Sequence, residues 1–151
     1  MPRRLPTSAE LRVWRDFIET VEALRGVVAG RLQTETGLSP GDYTVLLALS
    51  EAPQTRLRPS DLAAAIGWER SRLSHHLGRM ERRDLIRREG FSGDSRGAFV
   101  VLEDAGSTAF HSATVPHLTA VRELFVDALT PDQLDAVALI SGALRDHLPD
   151  R

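Results

Sequence analysis

The sequence predicts a mainly α-helical protein carrying one small β-hairpin, and three observations predict it. Apolar residues recur every three or four positions in successive segments, which is helical spacing. Serine, proline and aspartate stand where those segments begin. The helical period fails only between Leu85 and Leu102, where two strand-like runs flank the turn-forming stretch FSGDSRG.

The first helix runs from Ser8, a plausible N-cap, to about Thr36, with its stripe at Leu11, Trp14, Phe17, Ile18, Val21, Leu24, Val28 and Leu32. Gly37 is placed to end it. Ser39-Pro40-Gly41-Asp42 opens the second with an N-cap serine, a proline at its first position and an acid in its first turn. Tyr43, Leu46, Leu47 and Leu49 form its core side, and Pro53 stops it. A short third helix starts at Pro59, turns Leu62, Ala63 and Ile66 inward, and ends at Gly67. The fourth spans about Glu69 to Arg83 and turns Leu73, Leu77 and Met80 inward. Helical spacing resumes at Asp104 with Phe110, Val121, Leu124, Phe125 and Leu129, and Pro116 should kink this fifth helix. Thr130-Pro131-Asp132 opens the last, carrying Leu134, Val137, Leu139, Ile140 and Leu144.

With 151 residues, 42% of them hydrophobic and 26% charged, the chain is one globular domain's worth. No apolar run approaches the roughly 18 residues that span a bilayer, so no membrane partner is expected. The basic N-terminus lacks a secretory apolar region, so the expected location is cytoplasmic. Zero cysteines exclude disulfides and thiol catalysis. All 19 basic residues are arginine, a bias expected of a GC-rich bacterial genome.

The formal net charge is −2, but it is unevenly placed. From Arg56 to Gly97 there are ten arginines against six acids, a net of +4, which leaves −6 for the remainder. A basic segment in an acidic chain is the footprint of an anion-binding face. Its centre is the fourth helix. Opposite Leu73, Leu77 and Met80 lie Ser71, His75, Gly78, Arg79 and Arg82, with Arg72 and Ser74 on the flanks and Arg70 at the start. Guanidinium forks, hydroxyls and imidazoles suit phosphates and base edges. A merely solvated face would mix glutamate among these arginines, whereas none occurs before Glu81. Two helices joined by a glycine-containing turn match a helix-turn-helix, and the following hairpin is then a wing. Arg87 and Arg88 lead into that hairpin and Arg96 lies at its far side, with Asp94 spaced to pair with it.

The run RMERRDLIRRE followed by DSRGAFVVLEDAG resembles the MarR (multiple antibiotic resistance regulator) family. Its wing pattern, D-x-R, five residues and then L-T-x-x-G, falls on Asp94, Arg96, Leu102 and Gly106. SDLAAAIGW is similar to the first helix of the family's helix-turn-helix. Glu103 replaces the usual threonine, and Asp84 stands where a glycine usually ends the recognition helix; aspartate tolerates the left-handed conformation it needs. The resemblance implies a winged helix-turn-helix at 37–103, dimerisation helices at 1–36 and 104–151, and one compact domain overall. It implies a homodimer binding double-stranded DNA at a pseudo-palindromic operator, as a ligand-responsive repressor. The apolar stripes agree, because Trp14, Phe17, Phe125, Leu129 and Ile140 exceed what a small winged module can cover.

The expected DNA-binding residues are Arg70, Ser71, Arg72, Ser74, His75, Arg79, Arg88, Asp94 and Arg96. His75 and Arg79 point to the groove floor, Arg72 and Ser74 to its walls. The resemblance also implies a small aromatic or lipophilic effector near Trp14, Tyr43 and His111, positions that core packing explains equally well. A winged helix used for protein contacts is the alternative, and an enzyme a distant third. Asp132 and Asp135 sit where acids stabilise a helix start, and no nucleophile motif or phosphate loop occurs. Neither His75-His76 nor His111 with His117 has metal-ligand spacing, so no catalytic residue, metal or cofactor is expected.

Overall fold

The structure is a computed structural model that describes residues 4–91 and 94–149, with backbone alone at 91 and 94–97. In chain order it contains α1 (Ser8–Thr36), α2 (Pro40–Glu51), a 3-10 turn (Pro53–Thr55), β1 (Arg56–Leu57), α3 (Pro59–Ile66) and α4 (Arg70–Glu81). Then follow β2 (Ile86–Phe91), β3 (Asp94–Leu102), α5 (Asp104–Val121), a π turn (Arg122–Val126) and α6 (Pro131–His147). The chain divides into two compact units, residues 29–117 and residues 1–28 with 118–151.

Within residues 29–117, α2, α3, α4 and the sheet enclose one core. Leu46, Leu49, Leu62, Leu73, Met80 and Val100 are its fully buried centre. Local chemistry fixes the helix ends. Gly37 takes the left-handed conformation at φ 73° that closes α1, and Gly67 does the same for α3 at φ 67°. Ser39 caps α2 in a reciprocal box: its hydroxyl accepts from the Asp42 N–H, and Asp42 accepts from the Ser39 N–H. Leu47, expected inside, is 36% exposed, because the four consecutive positions Leu46 to Leu49 cannot all share one face of a helix.

The wing sheet has three strands in the order β1-β3-β2, all antiparallel, with Arg56 opposite Val101 and Arg87 opposite Val101 from the other side. β1 was not expected; two residues are too short to display a strand period. The sheet is locked to α5 by a close backbone approach. A Cβ on Gly106 would lie 2.0 Å from the Leu85 carbonyl oxygen, which already accepts the Glu103 N–H at 3.2 Å. Asp84 adopts φ 56°, the left-handed geometry expected of it. α5 runs through Pro116, whose missing N–H leaves the Ser112 carbonyl without its helical donor.

In the unit of residues 1–28 and 118–149, apolar side chains stay at the surface. Trp14 is 62% exposed and Ile140 52%, and Phe17, Leu139 and Leu144 are exposed too; Phe125 and Leu129 are half-buried. No helix among the described residues is long and apolar enough to cross a membrane.

Candidate nucleic-acid interface

α3 and α4 meet at a turn fixed by Gly67 and Trp68, both of whose N–H groups bond to the end of α3. This turn sets which face of α4 looks outward. Leu73, Leu77 and Met80 are 1%, 2% and 0% exposed, while Arg70, Ser71, Arg72, Ser74, His75 and Arg79 are all exposed. The six α4 residues expected to meet DNA therefore share the solvent side of one helix. Between Arg70 and Met80 that side carries no acid.

Their guanidinium groups are not equally free. Arg70, Ser71 and His75 make no side-chain hydrogen bond, ion pair or ring contact among the described residues. Arg72 stacks on the Trp68 ring at 4.0 Å, a cation–π contact that limits its rotamers. Arg79 donates from its NH2 group to His76 Nδ1 at 2.7 Å. Arg88, on β2, donates to the Ser74 carbonyl at 3.0 Å and lies 3.6 Å from the Glu81 carboxylate, so it ties the wing to α4. Arg87, beside it, is engaged by Glu89 and by Glu103, the latter at 2.6 Å. Glu103, in place of the family's threonine, thus takes up one wing arginine. The Asp94 and Arg96 side chains, and the pairing expected between them, lie outside the described residues.

Between the start of α3, α4 and the sheet is a hollow of about 540 Å³, lined by Arg58, Ser60, Arg70, Ser74 and Arg88 over an apolar floor of Leu73 and Leu77. Three guanidinium groups, two hydroxyls and, among the described residues, no carboxylate make it attractive to a phosphate oxygen. Arg58 was not among the expected residues. It precedes Pro59 at the N-cap of α3, and its guanidinium is 5.6 Å from the Phe99 ring, with Arg56 at 4.8 Å. The Arg-x-Arg-Pro run could have signalled it, because proline at the helix start fixes where the preceding arginine emerges.

His76 lies on the underside of α4, away from its outer face. It is 7% exposed, packed edge-on against Trp68 with ring centroids 5.2 Å apart, and its Nε2 lies 3.0 Å from Asp42 Oδ1. That approach falls short of directed hydrogen-bond geometry, so the Asp42 carboxylate acts on the ring by attracting its Nε2 edge. Asp42, 3% exposed, uses its other oxygen to accept from Arg83 at 2.8 Å and from the Ser39 N–H at 2.9 Å. Burial pushes the Asp42 carboxyl up, but Arg83 and Ser39 outweigh it and hold the group below its ordinary pKa. For His76, burial is the largest influence and lowers its pKa; Asp42 opposes this and Arg79 adds to it.

Of the residues expected near an effector, Tyr43 and His111 both pack against Phe110, at centroid distances of 5.2 and 5.8 Å. The exposed His111 ring turns back to the Ser107 carbonyl at 2.7 Å. Tyr43 has a second neighbour that was not expected: His117, 4.5 Å away, with a buried Nδ1 that has no hydrogen-bond partner among the described residues and a pKa lowered by burial. Trp14 belongs to the other compact unit. No cluster of three or more metal-capable side chains occurs among the described residues.

The sequence profile of the MarR family matches residues 36–97. Comparison with curated proteins gives no match. Among solved structures the chain is similar to Sco3205, a MarR family transcriptional regulator from Streptomyces coelicolor solved in complex with DNA. The two are 35% identical over 97% of this chain and 92% of that one, with a TM-score of 0.87. AbsC, a MarR family regulator from the same organism, is 37% identical over 95% and 99% of the two chains, with a TM-score of 0.80. At 17% identity the fold extends to the organohalide-sensing regulator RdhR-CbdbA1625 in its 2,4-dichlorophenol-bound form, over 97% and 88% of the chains with a TM-score of 0.81. With its exposed basic helix, its three-stranded wing and these relatives, the chain belongs to the MarR family of winged-helix, DNA-binding transcriptional regulators.

Proposed function

We propose that the protein is a homodimeric, sequence-specific regulator acting in the cytoplasm, a ligand-responsive repressor of a pseudo-palindromic operator. The observation that carries this reading is the outward face of α4, where arginine, serine and histidine side chains stand exposed without an intervening acid. In the major groove, His75 and Arg79 read base edges, Arg72 and Ser74 hold phosphates, and Arg70 and Ser71 meet the backbone at the helix start. Arg88 fixes the wing against α4, and Asp94 with Arg96 carries it toward the adjacent minor groove, where narrow AT-rich DNA attracts arginine. Arg58 joins this set as a phosphate contact at the hollow. The dimer reading rests on Trp14, Phe17, Leu139 and Ile140, large apolar side chains left exposed on the terminal helices. A dimer sets two recognition helices about one DNA turn apart. The effector is a small aromatic or lipophilic compound that meets Tyr43 and His111 beside Phe110, a reading supported by the dichlorophenol-bound form of the regulator of the same fold.

The test is a titration of labelled duplexes, one selected by the protein from random sequence and one random. Arg72→Ala should weaken both alike and reduce the salt slope by about 1, because it removes one phosphate contact. His75→Ala should lower the preference for the selected duplex. Equal losses on both duplexes for both variants would refute the assignment.

A further inference from the structure

The polar cluster beneath the recognition helix is more than a device for packing α4 onto α2. Arginine only donates hydrogen bonds, so the 2.7 Å contact from Arg79 requires His76 Nδ1 to be the acceptor. The neutral ring then carries its proton on Nε2, which faces Asp42 Oδ1. The ring has little room to turn. Trp68 packs edge-on against it, and a Cβ on Gly41 would come within 2.8 Å of its Cε1. Asp42 is itself fixed by the Ser39 N–H and by Arg83, which also donates to the Gly37 carbonyl at 3.1 Å.

We infer that Asp42 and His76 are positioning residues for DNA recognition: Asp42 orients the buried imidazole, and the imidazole holds the Arg79 guanidinium on the outer face of α4. The bond to His76 uses one of five N–H donors and leaves four for a base edge. An arginine already immobilised loses less side-chain freedom on binding, which for one such side chain is worth about twofold to tenfold in affinity. The inference rests on the proposed DNA reading and adds to it an unexposed pair that never touches the duplex. The charged groups facing His76 are Asp42 from α2 and Arg72 and Arg79 from its own helix.

Two measurements on the full chain test it. The first is an NMR titration of the His76 ring in wild type and in Arg79→Ala, a surface variant that leaves the core intact. Removing the donor should raise the His76 midpoint; an unchanged midpoint overturns the inference. The second is a double-variant cycle on the selected and random duplexes. His76→Asn should lower the selected-to-random ratio about fivefold and Arg79→Ala about tenfold, while the double variant should fall no further than Arg79→Ala. Losses that multiply overturn the inference, since a merely structural histidine acts independently of Arg79. If His76→Asn does not fold, the NMR arm decides. A wild-type protein that cannot distinguish the selected duplex overturns the DNA reading itself, and the inference with it.

Discussion

Gly106→Ala isolates the contact that locks the wing to α5. The added methyl would sit 2.0 Å from the Leu85 carbonyl oxygen, 2.9 Å from its carbonyl carbon and 3.0 Å from Leu102 Cδ1. Reaching even a tight 3.0 Å approach to the oxygen takes a shift of about 1 Å in backbone, which yields far less readily than a side-chain tip. Leu85 is only 6% exposed, and its carbonyl accepts the Glu103 N–H, so that bond is strained or lost as well. Overpacking costs roughly 1–3 kcal/mol and occasionally more, and a lost hydrogen bond about 1 kcal/mol. The sum of roughly 2–4 kcal/mol lowers the melting temperature by about 4–16 °C in a chain of this length. Thermal unfolding followed by circular dichroism reads it. Gly90→Ala is the control, because nothing lies within 4 Å of a Cβ there and its melting should be nearly unchanged. A Gly106→Ala protein melting within 2–3 °C of wild type would refute the close approach and with it the locked wing.

Asp42→Ala should destabilise by roughly 3 kcal/mol in urea unfolding, since it strips a cap and leaves Arg83 and buried His76 without their partner. His76 and His117 both have lowered pKa values when folded, so the unfolded chain binds more protons below about pH 6.5. Their contribution is therefore complete above that value and lost as pH falls through the folded values; melting at pH 5.5 should lie below melting at pH 8. Asp42 acts in the same sense in a more acidic window, being lowered from the usual carboxylate value. Light scattering at micromolar concentration should find two chains per particle, and a well-folded monomer would contradict the dimer.

The helices, their caps and the inward leucines were legible in the sequence because each rests on local rules. Ser39, Pro40 and Gly67 act within a few residues of where they stand. The left-handed Asp84 and the need for Gly106 were legible only through the family resemblance, the first at the end of the recognition helix and the second in the wing motif. What the sequence hid is long-range. Nothing local pairs Asp42 with His76 or Arg83, some 34 and 41 positions away. The partial commitment of Arg79 and Arg88 was equally invisible, because helix periodicity gives the direction of a side chain and not what meets its tip. β1 escaped because two residues take their strand character from β3 alone.

The central claim is that this chain reads DNA as a dimer through the outer face of α4. Selecting duplexes from a random pool with the full-length protein, then footprinting the winner, tests it most directly. The account predicts an inverted repeat whose half-sites lie about 10 base pairs apart, protected together by two chains. A pool with no enriched sequence, or a single half-site bound by one chain, would contradict it.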